Sequence, residues 1–174
     1  MFKELNNLKL FFEKPTREFN VREFARLRKI APATASKQLN NLVKKKLLKK
    51  RKERNLKLYK ANLDSDSYTD AKTFYNIRKI KDAGLIEVLN KFYLKPTIIL
   101  FGSGASGLDT ETSDFDILII SEKTKKFPEI DKYEKKINRK LQLFIVKNIK
   151  ELKNKHLINN VLKGIQIQGG IKWI

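Results

Sequence analysis

Two apolar runs separated by a glycine-rich polar stretch place the strongest constraint on the fold. Residues 97–101 (TIILF) and 115–121 (FDILIIS) are short, apolar and rich in β-branched residues, so each predicts a buried strand. Between them lie GSGASG and a polar loop that ends in Ser-Asp-Phe-Asp. LQLFIV at 141–146 predicts a third strand, and helical patterns surround all three. We therefore expect an α+β fold in which a small mixed sheet is flanked by helices.

The residue types in this stretch favour a site for phosphate and metal. Gly102 ends a predicted strand and has no side chain, so a ligand can approach the backbone closely. Ser103 adds a hydroxyl and an amide that can face phosphate oxygens. Asp114 and Asp116 flank Phe115, and residues i and i+2 of a strand share a face. Two adjacent carboxylates repel unless a cation lies between them, and Mg²⁺ is commonly held by one or two carboxylates plus substrate phosphates.

Ordinary structural explanations exist for each half of this pattern. A glycine-rich stretch can be a flexible turn, and an aspartate pair can cap a hairpin. Their order between two apolar strands favours the functional interpretation. His156 is the only histidine and the chain has no cysteine, which excludes histidine clusters, disulfides and thiolate metal sites. A serine-hydrolase elbow is disfavoured, because the glycines lead into a polar loop instead of a helix.

Gly-Ser, ten intervening residues and Asp-Phe-Asp resemble the nucleotidyltransferase superfamily related to DNA polymerase beta, particularly its minimal nucleotidyltransferases. The resemblance covers about residues 95–174. It implies Mg²⁺-dependent transfer of a nucleoside monophosphate from a nucleoside triphosphate to an acceptor hydroxyl. It assigns catalysis and metal binding to Asp114 and Asp116. The implied nucleotide-binding positions are Gly102, Ser103, Gly107 and Ser113.

The sequence departs from this family pattern at two positions. A third carboxylate is expected on the next strand, but Gln142 stands there, and an expected arginine is replaced by Ser106. A glutamine can coordinate weakly or hold a water, but it cannot act as a general base. The resemblance implies a site that can hold two Mg²⁺ ions, or one if Gln142 cannot support the second. Asp109 or Glu111 could substitute. Two alternatives stay open: a DNA-binding regulator whose degenerate domain only binds or senses nucleotide, and an antitoxin-like component.

The first third of the chain has a different pattern. Apolar residues at helical spacing predict a helix over 5–12, a second that contains Val21, Phe24, Ala25 and Leu27, and a third after Pro32. A buried stripe of the third helix is formed by Ala35, Leu39, Leu42, Val43 and Leu47. The short segments 47–50 and 56–61, on either side of a charged tip at 51–55, predict a β-hairpin. This order resembles the winged helix-turn-helix family over residues 1–63.

A winged helix would place the outward face of its second paired helix against double-stranded DNA. The side chains expected on that face are Thr34, Ser36, Lys37, Asn40, Asn41 and Lys44. The expected wing consists of Lys49, Lys50, Arg51, Lys52 and Arg54. Two other interpretations stay open. The charge runs can be solvated faces, and the segment can serve dimerisation or protein docking.

The distribution of charge supports a polyanionic partner. The chain carries a net charge of +20, and residues 1–63 hold 19 basic and 5 acidic residues, a net of +14. A basic surface binds nucleic acid because neutralised phosphates release counterions. A lysine-rich proteome would give the same composition without that function.

The remaining segments complete the predicted organisation. Residues 64–94 are expected to form a helical connector whose N-cap is Ser67 or Thr69. Gly84 is expected to weaken this helix and Pro96 to end it. A nucleotidyltransferase domain is then expected at 95–174. Later helices are expected over 132–139 and 149–162, with Trp173 packed or on an edge strand. No apolar run reaches membrane-spanning length and no secretion signal is visible. We therefore expect a cytoplasmic protein; a homodimer and a protein or nucleic-acid acceptor stay open.

Overall fold

The computed structural model describes the backbone of residues 2–170 and the side chains of residues 5–170, so Trp173 lies outside the described residues. The chain divides into two units, with the boundary between Lys72 and Thr73. This boundary falls inside a single helix, α4 (Asp66–Asp82). Among the described helices, none has the length and apolar character needed to cross a membrane.

The first unit combines helices with a small antiparallel sheet. Its elements in chain order are α1 (Phe2–Glu13), β1 (Phe19–Asn20), α2 (Val21–Arg28), α3 (Pro32–Lys44), β2 (Leu48–Glu53) and β3 (Leu56–Ala61). The strands pair in the order β1-β3-β2. The three helices and the hairpin follow in the predicted order, the short strand β1 was not predicted, and the assignment of this unit as a winged helix stays a prediction.

Local signals in the sequence explain where α2 and α3 begin and end. The side chain of Asn20 accepts a hydrogen bond from the Glu23 amide at 2.9 Å, which caps α2. Lys29 then adopts a left-handed conformation and ends the helix. Pro32 occupies the first turn of α3, where its missing N–H leaves no helical bond unmade. The two helices are thereby fixed as a closely spaced pair.

Aromatic side chains dominate the core of the first unit. The ring of Phe11 packs edge-on against Phe19, with centroids 5.2 Å apart, and stacks with Phe24 at 5.9 Å. Tyr68 is fully buried and its hydroxyl donates to the carbonyl of Phe11 at 2.8 Å. The predicted buried stripe of α3 is present at Ala35, Leu39 and Leu42, whereas Val43 is only partly buried. Leu47 is buried but lies beyond the helix, and Leu27 of α2 is exposed.

The second unit is built on a mixed four-stranded sheet. After the remainder of α4, its elements are α5 (Leu85–Tyr93), β4 (Thr97–Phe101), α6 (Gly102–Ser106), β5 (Phe115–Ile120), α7 (Ile130–Ile137), β6 (Leu141–Val146), α8 (Lys155–Leu162) and β7 (Ile165–Gln168). The strand order is β6-β5-β4-β7. β4 pairs antiparallel with β5 and β7, and β5 pairs parallel with β6. The predicted α+β class with a mixed sheet and flanking helices is confirmed.

Apolar side chains cover both faces of this sheet. On one face, alternate residues of β4 and β5 pack with α5 and α7, in a cluster that includes Leu89, Phe115 and Ile137. On the other face, Phe101, Leu118 and Val161 belong to a smaller cluster. Because β5 is central and buried on both sides, its amino-terminal end is held rigidly. This end carries Asp114 and Asp116.

Several predicted boundaries were wrong. The helix predicted over 149–162 is a 3₁₀ turn at Ile149–Glu151 followed by α8, because the Asn154 side chain accepts from the amides of His156 and Leu157 and starts a new helix. β7 was not predicted, since IQIQ gives only four residues of weak alternation. The glycine-rich turn forms the short helix α6.

The predicted connector also differs from the observed helices. α4 begins at Asp66 and not after a cap at Ser67 or Thr69, because the Ser65 carbonyl already accepts from the next turn of amides. The helix breaks at Gly84, whose φ of 78° is left-handed, and α5 follows. In the hairpin, β2 extends through Glu53, so the tip is narrower than the predicted 51–55.

Candidate functional site

The strand β5 places the two predicted carboxylates at one end of the second unit's sheet. Asp116 is the second residue of β5 and is paired with Phe101 on β4 and with Gln142 on β6. Asp114 immediately precedes the strand and is exposed. Phe115 between them is fully buried in the core. Alternation along the strand puts the Asp116 carboxylate on the face opposite to Phe115. Asp114, one residue before the strand, is near enough for its negative charge to act on Asp116.

Gly102 lies directly against the Asp116 carboxylate. It follows Phe101, the residue that pairs with Asp116, and its φ of 70° is left-handed. A Cβ atom at this position would lie 2.6 Å from Oδ2 of Asp116. Glycine is therefore required here both by the backbone conformation and by the close approach of the carboxylate.

The electrostatics of the carboxylate pair are unfavourable in the absence of a cation. Burial raises the pKa of Asp116 above its ordinary value, and the negative charge of Asp114 raises it further. Both effects disfavour the ionised form of Asp116, and burial is the larger of the two. A cation bound at the two carboxylates would favour the ionised form.

The segment between the two strands forms an ordered turn and loop. Gly104 is buried in α6, where a Cβ atom would lie 2.9 Å from the Phe115 ring. Gly107 ends α6 in a left-handed conformation with a φ of 69°. The hydroxyl of Ser113 accepts from the Thr110 amide at 2.9 Å and closes the loop immediately before Asp114. Gly102 and Ser103 begin α6, so the predicted nucleotide-binding positions are brought into one continuous segment.

Gln142 occupies the position beside Asp116 where the family resemblance expects a third carboxylate. It is exposed, and the parallel register places it directly opposite Asp116 on β6. Asp109 cannot replace it, because its carboxyl is fully buried and accepts from the Asn76 amide at 2.7 Å. The backbone carbonyl of Glu111 accepts a hydrogen bond from Arg139 at 2.8 Å, and this bond attaches the Arg139 side chain to the loop.

The donor set at this end of β5 fits a hard cation. Two carboxylates and a neighbouring amide oxygen are oxygen donors, which Mg²⁺ prefers. Across residues 5–170 no group of three or more His, Cys, Asp and Glu side chains is arranged to hold a metal. Two carboxylates can hold Mg²⁺ when phosphate oxygens of a substrate complete its coordination sphere, so Asp114 and Asp116 are the residues that would hold such an ion.

A second candidate surface lies on α3 in the first unit. A groove of about 670 Å³ is lined by side chains at helical spacing, namely Thr34, Lys37, Gln38, Asn40, Asn41 and Lys44. Lys37 and Lys44 are exposed, and within the described part of the chain neither makes an ion pair. Amide and ammonium groups along one helix face are suited to base edges and phosphates.

Ser36 and Asn40 lie on the flank of α3 that faces the hairpin. The Asn40 side-chain oxygen accepts from the Tyr59 hydroxyl at 3.2 Å and from Nζ of Lys50 at 3.4 Å. Its amide nitrogen donates to the Ser36 hydroxyl at 3.4 Å. These bonds fix the orientation of Asn40 and connect α3 to β2 and β3.

The predicted wing residues differ in how far they are already neutralised. Arg51 donates from Nε and NH2 to the Glu18 carboxylate at 2.6 and 2.5 Å and also pairs with Glu53, and these contacts raise the pKa of its guanidinium. Lys49 pairs with Asp64. Among the described residues, Lys52 and Arg54 have no such carboxylate partner. Lys52 and Arg54 are thus more available to an external phosphate than Arg51.

Sequence reasoning missed three side chains that belong to these sites. Gln38 lines the groove on α3, and its i, i+4 spacing from Thr34 was a usable signal. Asn76 and Arg139 contact the loop before Asp114 through Asp109. No sequence signal identifies Asn76 and Arg139, because each is about 30 residues from Asp109 along the chain.

One comparison with known proteins bears on the second unit. Residues 82–167 match the family model described as nucleotidyltransferase domain. No curated protein matches the chain. The matched span includes Gly102, Ser103, Asp114, Asp116 and Gln142. It supports the nucleotidyltransferase superfamily for this part of the chain, and it does not extend to the first unit.

A nucleotidyltransferase domain suggests transfer of a nucleoside monophosphate as its activity. The matched span begins at the last residue of α4 and ends one residue before the end of β7, so it contains β4, β5 and β6 and most of β7. Nucleotidyltransferase domains typically use a nucleoside triphosphate and Mg²⁺. The carboxylate pair and the glycine-rich segment are the parts of the domain that fit this chemistry.

Substitution of Gly102 tests the close approach to Asp116. Gly102→Ala places a methyl group on the Asp116 carboxylate, so Mg²⁺-dependent binding of ATP should weaken by at least about tenfold, roughly 1.4 kcal/mol. Gly84→Ala is the matched control. Gly84 is also left-handed, but a Cβ there meets only Glu87, at 4.0 Å. Calorimetric titration of both variants checks the prediction, and equal affinities would contradict the proposed contact.

Substitution of Asp116 tests the repulsion within the carboxylate pair. Asp116→Asn should raise the free energy of unfolding of the metal-free protein at neutral pH by about 1 kcal/mol, in the range of other stabilising changes. The pKa of Asp116 in the folded chain lies above the ordinary value of 3.8. The contribution of protonated Asp116 to the free energy of unfolding is therefore present below pH 3.8 and is lost as the pH rises through the folded pKa.

The difference in free energy of unfolding between Asp116→Asn and the native chain should therefore be small below pH 3.8 and grow as the pH rises above that value. Denaturant unfolding at several pH values checks it. Asp131→Asn, at an exposed carboxylate of α7, is the control and should not be stabilised. A native chain more stable than Asp116→Asn at neutral pH would show that the pair is not strained.

Proposed function

We propose that the second unit is a Mg²⁺-dependent nucleotidyltransferase that moves a nucleoside monophosphate from a nucleoside triphosphate to an acceptor hydroxyl. The observation that carries the proposal is the carboxylate pair at the start of β5 beside Gly102. The family match to residues 82–167 supports it independently. Asp114 and Asp116 hold the metal, and Gly102, Ser103, Gly107 and Ser113 belong to the nucleotide-binding segment.

The residues at this site have separable tasks in the proposed reaction. Asp114 and Asp116 bind the metal through carboxylate oxygens, and Gly102 lets the turn approach the Asp116 carboxylate without a clash. The hydroxyl and amide of Ser103 bind phosphate oxygens. When bound, Mg²⁺ neutralises charge on the phosphates and stabilises the leaving pyrophosphate. The acceptor oxygen forms a bond to the α-phosphorus as the bond to pyrophosphate breaks.

Gln142 favours a second candidate function, in which the domain binds or senses nucleotide without transferring it. Its neutral amide lies beside Asp116 and cannot accept the proton of the acceptor hydroxyl. In the transfer reaction this proton must therefore pass to solvent. Binding of nucleotide without incorporation into any acceptor, and incorporation by the Gln142→Asp variant, would favour the sensing function.

Calorimetric titration of nucleoside triphosphates with Mg²⁺ tests the proposed site. The native chain should bind at least one triphosphate in a metal-dependent manner. Asp114→Asn/Asp116→Asn should weaken this binding by at least about 100-fold, roughly 2.7 kcal/mol, because both metal ligands are lost.

Glu129→Gln/Asp131→Asn is the matched control, since it removes two exposed carboxylates at the start of α7 with the same change in charge. Its affinity should equal that of the native chain. No binding of any triphosphate by the native chain, or equal losses in both double variants, would contradict the proposed site.

For the first unit we propose that α3 and the hairpin bind double-stranded DNA. The supporting observation is the groove along α3, in which amide side chains alternate with the exposed Lys37 and Lys44. Lys52 and Arg54 add positive charge on the hairpin. DNA binding would deliver the nucleotidyltransferase to its partner. Because Arg51 is held by two carboxylates, its contribution is expected to be smaller.

Charge reversal on α3 tests this interface. Lys37→Glu/Lys44→Glu should weaken duplex binding at least about tenfold and lower the slope of log K against log salt by roughly two, because two phosphate contacts are lost. Lys9→Glu/Lys14→Glu makes the same change in charge away from the groove and should have a smaller effect. Fluorescence anisotropy over a range of salt concentrations provides the measurement. Equal effects of the two variants would contradict the assignment of α3.

A further inference from the structure

A buried polar network lies next to the carboxylate pair in the second unit. Asp109 is fully buried in the loop that precedes Asp114, and its Oδ1 accepts from the Asn76 amide at 2.7 Å. NH2 of Arg139 lies 3.8 Å from the other carboxylate oxygen of Asp109, and the Arg139 side chain is only 6% exposed. Asn76 is 2% exposed. We call Asn76, Asp109 and Arg139 the clamp.

The clamp reaches both ends of the segment that carries the nucleotide-binding residues. Asn76 also donates to the carbonyl of Gly104 in α6 at 2.9 Å, and Thr73 supports it by donating to the carbonyl of Ala105 at 3.0 Å. Arg139 donates to the carbonyl of Glu111 at 2.8 Å. The helix α6 and the loop up to Ser113 are therefore held by side chains from α4 and by Arg139, which lies between α7 and β6.

Stability alone does not account for a buried network of this kind. Removing a carboxylate and a guanidinium from water costs several kcal/mol each, and apolar residues of similar volume often replace such a pair without loss of stability. The hydrogen bonds of the clamp end on backbone carbonyls of α6 and the loop. An apolar core would cover these groups without fixing their positions. The clamp is thus suited to define geometry.

We propose that Asn76, Asp109 and Arg139 are positioning residues for the nucleotide site. This inference rests on the proposed nucleotidyltransferase function. The clamp fixes the carbonyls of Gly104 and Glu111, and through them the relative positions of Gly102 and Asp114. Gly102 and Asp114 lie at the two ends of this segment. In the proposed site both contact the same metal-bound triphosphate. Loss of the clamp should weaken nucleotide binding more than it weakens the fold.

The test compares binding and stability in the same variants of the full chain. Asp109→Leu/Arg139→Met replaces the buried charges by apolar side chains without leaving one charge alone. Its unfolding midpoint should stay close to the native value, while its Kd for ATP with Mg²⁺ should rise by at least about tenfold, since the geometry of bound phosphates is lost. Native-like binding in this folded variant would overturn the proposal.

Two further variants keep the proposal testable if Asp109→Leu/Arg139→Met does not fold. Asp109→Asn/Arg139→Met also leaves no buried charge alone and keeps a side-chain oxygen that can accept from Asn76, whereas Arg139→Lys keeps the positive charge beside Asp109. Nucleotide binding should be weak in Asp109→Asn/Arg139→Met and closer to the native value in Arg139→Lys. Arg78→Met is the control, because it removes an exposed arginine paired with Asp82 in the same unit, and its Kd should not change. Equal affinity in all three variants would overturn the proposal.

Native protein and Asp116→Asn are measured in the same series. Binding that is lost in Asp116→Asn but retained in the clamp variants would overturn the role of the clamp and leave the proposed function intact. Absence of metal-dependent binding by the native chain would overturn the proposed function, and the positioning role with it. The expected result is native binding that both Asp116→Asn and Asp109→Leu/Arg139→Met weaken.

Discussion

The placement of the half-buried Asp116 carboxylate beside Asp114 and against Gly102 is the constraint on which the candidate site of the second unit depends. Burial raises the pKa of Asp116, and the charge of Asp114 raises it further, so the ionised form is disfavoured unless a cation is bound. Gly102 is left-handed, and a Cβ atom there would meet the Asp116 carboxylate. A metal bound together with substrate phosphates, as proposed above, would account for this placement.

The neighbouring strands and the core of the second unit hold the carboxylate pair in position. β5 is held between β4 and β6, and its Phe115 anchors it in the core on the face opposite to the carboxylates. Hydrogen bonds from Asn76 and Arg139 hold the segment from α6 to Ser113, so this segment and the carboxylate pair are positioned by separate sets of interactions.

Local signals in the sequence predicted part of this architecture. The apolar runs predicted β4, β5 and β6, and the i, i+2 spacing predicted the shared face of Asp114 and Asp116. Short-range patterns could not predict β7, whose pairing with β4 depends on the tertiary fold, or the break before α8, where a side-chain cap interrupts an otherwise helical pattern. The contacts of Asp109 also escaped prediction, because a buried carboxylate and a metal ligand have the same sequence appearance. On α3, the list of outward residues omitted Gln38 and included Ser36, since helix-face assignments are sensitive to rotation by a single residue.

The most direct test of the central claim is to locate the metal by paramagnetic broadening. Mn²⁺ added with ATP to the isotopically labelled chain should first broaden amide signals near Asp114 and Asp116, together with those of Gly102, Ser103 and Gln142. Signals of Glu129 and Asp131 should stay sharp at the same Mn²⁺ concentration. Broadening centred on other acidic residues, such as Glu129 and Asp131, or no broadening at the start of β5, would contradict the claim that this carboxylate pair binds a metal with a nucleotide.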